Sequence, residues 1–131
     1  SMSDTPVLCV GSTRGTIMLW VTTDPPGTWT EPLLVAELEA MDIAEQTVLS
    51  AIAALRARGL LAPGQGNRGL PLKATGAGFR SVRAHFFGGR VMPAKDFDHS
   101  TMVGPGPWCW VQGEGWVRED VYEARQTEGS G

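Results

Sequence analysis

Apolar positions recur at helical spacing in several stretches of this chain and alternate with polar ones near its end. Leu33, Leu34, Leu38 and Met41 return every three or four residues, which predicts a short helix over 31–40. Val48, Ile52 and Leu55 fall at i, i+4 and i+7, one face of a helix over 42–58 that Gly59 stops. Phe79, Val82 and Phe86 share a face of a later helix over 76–87, ended by Gly88-Gly89. Ahead of all these, Thr16 to Val21 is a compact apolar stretch between Ser12-Thr13 and the breaker Asp24-Pro25-Pro26-Gly27. It reads as a helix over 13–23, with a strand left open by its β-branched content. Trp108-Cys109-Trp110-Val111 and Trp116-Val117-Arg118 flank Gly113-Glu114-Gly115 and predict a β-hairpin.

Capping residues sharpen these boundaries. Thr30 suits an N-cap, with Glu31 favourable to the helix dipole and Pro32 harmless in the first turn. Asp42 and Glu45 fit a capping box with aspartate in the Ser/Thr place, and Thr75 suits the N-cap of the fourth helix. Almost nothing separates the second helix from the third, and so short a connection fixes the two at a steep angle. After Gly59, Leu60-Leu61-Ala62 reads as a short strand, 63–69 as a turn and 70–74 as its return strand, where Pro71 marks an edge. The expected fold class is α+β: a three-helix core, a glycine-rich β-wing, a fourth helix and a C-terminal hairpin. The expected organisation is an arm over 1–11, a domain over 12–90, an irregular Gly/Pro-rich linker over 91–107, a hairpin appendage over 108–125 and a tail over 126–131.

A chain of 131 residues suits one core. Its apolar runs, such as Ile17 to Val21, fall far short of the ~20 residues that span a bilayer. The amino terminus lacks a basic stretch followed by an apolar one, so the expected location is cytoplasmic with no membrane association. Cys9 and Cys109 belong to no spaced cluster; they are either two free thiols in a reducing compartment or a disulfide joining the termini.

Net charge is −3, but it is segregated. Residues 1–42 carry Arg14 against six acids, a balance of −5. Residues 43–92 carry Arg56, Arg58, Arg68, Lys73, Arg80, Arg83 and Arg90 against Glu45 alone, a balance of +6. Residues 93–131 return to −4. The positive block coincides with the third helix, the wing and the fourth helix, where phosphate contacts are made if nucleic acid is the partner.

No catalytic pattern organises the remaining polar residues. His85, His99, Asp96 and Asp98 lack the spacing of a metal site. There is no Gly-x-Ser-x-Gly, and the glycine-rich 64–69 lacks the Gly-Lys-Ser/Thr ending that cradles phosphate. Neither an enzyme nor a cofactor or metal is expected.

The run from Asp42 to Leu61 ends Leu55-Arg56-Ala57-Arg58-Gly59-Leu60-Leu61 and is followed, after the turn, by Leu72-Lys73-Ala74-Thr75-Gly76-Ala77-Gly78. This resembles the winged helix-turn-helix regulators of bacteria, in particular the PadR, MarR and PaaX groups. Their recognition helix ends in Leu-x-x-x-Gly-Leu and their wing returns as Leu-Thr-x-x-Gly. The likeness covers roughly residues 12–90. It implies a bacterial or phage transcription regulator that binds double-stranded DNA as a homodimer, with the third helix in the major groove. On that analogy Glu45, Gln46, Thr47 and Ser50 face bases, Gln suiting adenine and Thr or Ser either partner. Arg56 and Arg58 suit phosphate, and Gln65, Asn67 and Arg68 at the wing tip, with Lys73 behind them, suit backbone or minor groove.

Alternatives stand beside these roles. The polar residues of the third helix also fit an ordinary solvated face, and Arg56 and Arg58 also fit a helix C-terminus. Leu49, Ala53 and Ala54 leave the middle of that helix poor in hydrogen-bonding groups. Phe79 and Phe86 either help subunits pair, as the resemblance implies, or pack on their own core. Trp108, Trp110 and Trp116 either bind a protein partner or cover an edge of the domain with their N–H groups at the rim. A non-enzymatic protein-binding module, such as a phage factor that docks on a host protein, is therefore the competing function.

Overall fold

The computed structural model describes residue 8, residues 11–64, 69–92, 102 and 106–129. The first helix, α1, runs Thr13–Thr23 and starts where the Ser12 hydroxyl accepts from Gly15 N at 3.0 Å. It is followed by α2 (Glu31–Glu39), α3 (Glu45–Ala57), α4 (Gly76–Phe87), β1 (Trp108–Val111), β2 (Gly115–Arg118) and α5 (Glu119–Gly129). The architecture is α+β: five helices and a two-stranded antiparallel hairpin among the described residues. None of these helices is long and apolar enough to cross a membrane.

Burial follows the helical stripes. Leu34 and Leu38 of α2, and Val48, Ile52 and Leu55 of α3, are withdrawn from solvent with Ile17 and Met18 of α1 and Val82 and Phe86 of α4. Accordingly α1 packs on both α3 and α4, and α2 packs on α3. Thr30 caps α2 with Pro32 in its first turn, as its sequence predicts.

The connection between α2 and α3 corrects one expectation. Asp42 does not cap α3: it sits at φ 66° inside the turn, a left-handed conformation that a short polar side chain tolerates. The helix begins later, with Ala44 in the N-cap place and no side-chain cap. The turn closes through backbone bonds instead, with Met41 N and Ile43 N both donating to the Leu38 carbonyl.

Beyond α3 the chain folds back, though the two strands expected there reduce to a single bridge between Leu61 and Ala74. Ala62 N donates to Lys73 O at 2.8 Å, and Leu72 N donates to Trp29 O at 2.7 Å, so the return segment is tied to the chain ahead of α2 as well. With Pro71 unable to donate and Lys73 facing water, no longer ladder forms.

Thr75 joins this turn to α4. Its hydroxyl accepts from Gly78 N at 3.1 Å and donates to the Gly59 carbonyl at 2.5 Å, while its own N–H bonds Leu60 O. Thr75→Ala is expected to cost about 1–2 kcal/mol in urea unfolding, and Thr75→Ser to restore most of it. Equal stability of the Ala and Ser variants would contradict this role.

The C-terminal part departs most from expectation. The hairpin pairs Trp108 with Arg118 and Trp110 with Trp116, but 119–125 do not continue it and 126–129 are not a loose tail. Glu119–Gly129 form α5, for which Glu119 and Asp120 supply a first turn rich in acids. Arg125 reaches back to Glu114 at 2.5 Å, and Arg90, just after α4, pairs with Glu119 and donates to Cys109 Sγ at 3.0 Å. Trp116 lies against Phe87, ring centroids 5.0 Å apart, which docks the hairpin on the end of α4.

Candidate nucleic-acid interface

The exposed face of α3 is made by the residues that the buried stripe leaves over. Val48, Ala51, Ile52 and Leu55 point inward, so Gln46, Thr47, Ser50 and Arg58 face water. They do not stand alone: with Thr13 and Arg14 at the start of α1 they line an open groove of about 620 Å³ floored by Leu8 and Ala51. The first turn of α1 contains no acid and is capped by the neutral Ser12 hydroxyl, so the positive end of its dipole adds to the charge of Arg14 at the same groove.

Five side chains of this groove are unengaged. Gln46, Thr47, Ser50, Arg14 and Arg58 make no hydrogen bond or ion pair with any described residue. Among the described residues, their amide, hydroxyl and guanidinium groups are therefore left open to a ligand. Two guanidinium groups, a carboxamide and two hydroxyls beside a helix N-terminus make an arrangement suited to phosphate and to base edges.

Arg56 lies elsewhere. Its guanidinium pairs with Glu31 of α2 at 3.0 Å, donates to Ala62 O, and occupies the space that a side chain at Gly64 would need. It ties α2, α3 and the base of the turn together, whereas the sequence suggested phosphate or the helix dipole. Glu45 is exposed in the first turn of α3 but does not line the groove. Lys73 is exposed at the opposite end of α1, beside Val21 and Asp24. Val21 and Asp24 lie roughly 10–15 Å along the helix axis from Arg14, which places Lys73 outside the groove. Gln65, Asn67 and Arg68 lie outside the described residues, as do Cys9, Asp96, Asp98 and His99. Arg80 and Arg83 stand exposed on α4 without ion pairs to described residues.

Three of the expected partner-binding residues are not surface residues. Phe86 is 1% exposed and Trp108 and Trp116 are 4% each, because α4 and the hairpin pack these rings against the core and each other. Nor does the Trp108 N–H reach a rim: it is buried against Gly106, with no hydrogen-bond acceptor among the described residues. Phe79 and Trp110 are the members of the set that face outward, at 44% and 41%. Trp110 borders a cleft of about 320 Å³ with Phe87, Val91, Trp116 and Tyr122. Cys109 in that cleft is a free thiol; burial pushes its pKa up, with nearby Arg90 opposing.

Arg14 is the functional candidate that sequence reasoning did not single out. It sits in the most acidic block of the chain, and only the approach of α1 to α3 brings it beside Arg58. Comparison with family models, with curated proteins and with solved structures finds no match to this chain.

Proposed function

We propose that residues 12–90 form a winged helix-turn-helix and that the protein binds double-stranded DNA, as a regulator of transcription, through the groove between α1 and α3. One observation carries the reading: Gln46, Thr47, Ser50, Arg14 and Arg58 share one exposed groove, and none of them bonds or pairs with a described residue. The order of elements supports it too, with α2 and α3 joined by a tight turn and the segment after α3 folded back beside them. In this account Arg14 and Arg58 hold phosphates, while Gln46 and Ser50 read base edges.

Binding of a fluorescent mixed-sequence duplex at about 50 mM salt tests the reading, because phosphate contacts are strongest there. Saturable binding that falls by more than about tenfold at 200 mM is expected. Among duplexes of varied sequence, Gln46→Ala is expected to change the order of preference more than the mean affinity. No binding at low salt contradicts the reading.

A second reading, a protein-binding module, is favoured by Trp110, whose half-exposed ring borders an aromatic cleft with Phe87, Trp116 and Tyr122. It requires Trp110→Ser to abolish capture of a stoichiometric partner that survives nuclease.

A further inference from the structure

The hollow at the other end of α1 has a different chemistry. It measures about 650 Å³, within the ~300–1,000 Å³ range of small-molecule sites. Its walls are Val21, Pro26, Pro71, Leu72 and the exposed ring of Phe79. The polar groups around it are engaged within the fold. Thr22 donates to Met18 O and Thr23 to Leu19 O, each at 2.7 Å, and Asp24 accepts from Trp29 Nε1 at 2.6 Å. Lys73 is the exception, with no hydrogen bond or ion pair from its ammonium to a described residue.

We propose that this hollow binds a small apolar monocarboxylate, its body against Phe79, Leu72 and Pro26 and its carboxylate on Lys73 Nζ. The apolar walls disfavour a polar body, since the hydroxyl protons of Thr22 and Thr23 are already spent on backbone carbonyls. The Lys73 ammonium, unpaired among the described residues, selects an anionic head over a neutral or cationic one, and the Asp24 carboxylate in the same lining disfavours a second negative charge. The site is independent of the groove between α1 and α3 and does not require the protein to bind DNA.

The test is an NMR titration of the ¹⁵N-labelled full chain with 4-phenylbutyrate and octanoate, each against its matched alcohol, 4-phenylbutan-1-ol and octan-1-ol. Saturable shifts are expected at residues 21–27 and 71–79, with each carboxylate bound about fivefold tighter than its alcohol. Lys73→Gln, at an exposed position, is expected to erase that preference and leave the alcohols unchanged. The proposal is overturned if neither carboxylate saturates by about 5 mM, if the shifts lie elsewhere, if acid and alcohol bind equally, or if the preference survives in Lys73→Gln.

Discussion

Gly78→Ala is expected to destabilise the fold by about 2–3 kcal/mol, although alanine is the better helix former. A methyl group at 78 would sit 2.3 Å from the Leu60 carbonyl oxygen and 2.8 Å from Met18 Cε. Met18 can turn aside, but the Leu60 carbonyl cannot: it accepts from Thr75 N at 3.0 Å and belongs to the turn that leads into α4. The clash therefore pushes α4 off the turn and loosens its contact with α1. Gly76→Ala is the internal control, since its only close neighbour among the described residues is the flexible end of Arg80 at 3.4 Å. There the helix propensity prevails and stability is expected to rise by about 0.5–1 kcal/mol. Urea unfolding of both variants decides the matter: a Gly78→Ala protein as stable as Gly76→Ala would mean that α4 does not approach Leu60 this closely.

That pair of glycines also shows what the sequence could and could not convey. The boundaries of α1 and α4 were legible because Ser12 and Thr75 are local signals, each bonding a backbone N–H three residues on. The distinction between Gly76 and Gly78 was not, since it depends on Leu60 lying across from α4. The start of α3 failed for a related reason. Asp42 and Glu45 have capping-box spacing, yet the backbone places Asp42 in a left-handed turn two residues ahead of the actual N-cap. Beyond β2, a run of acids before Val121, Tyr122 and Ala124 forms α5 with an apolar pattern too faint to predict, held by Arg90 on Glu119 and by the helix's own Arg125 on Glu114.

The candidate site divided in the same way. Gln46, Thr47, Ser50 and Arg58 followed from the stripe of α3, because the positions left outside a buried face are fixed by helical periodicity. Charge counting by blocks misled at three other positions. It joined Arg56, Lys73 and Arg90 to a basic surface, although Arg56 holds Glu31, Lys73 lies at the far end of α1, and Arg90 holds α5. It hid Arg14 among acids of which Asp24, Glu31, Glu37, Glu39 and Asp42 do not line the groove.

The largest expected effect on function belongs to that hidden residue together with Arg58. The double variant Arg14→Gln/Arg58→Gln is expected to bind duplex DNA about a hundredfold more weakly than the wild type at 100 mM salt, each lost charge-assisted contact contributing about 1.5 kcal/mol. Both side chains are exposed and make no ion pair with a described residue, so the variant should unfold at the same urea concentration as the wild type. Arg56→Gln should behave in the opposite manner, losing stability through Glu31 and Ala62 while leaving the groove in place. A double variant with unchanged affinity would remove the groove from the account.

The salt dependence of that affinity tests the central claim most directly. For a mixed-sequence duplex between about 50 and 200 mM salt, the logarithm of the binding constant is predicted to fall steeply and linearly with the logarithm of salt concentration. The slope for Arg14→Gln/Arg58→Gln is predicted to be shallower by about 2, one for each phosphate contact removed. Equal slopes for the two proteins, or a wild type indifferent to salt, would contradict the account.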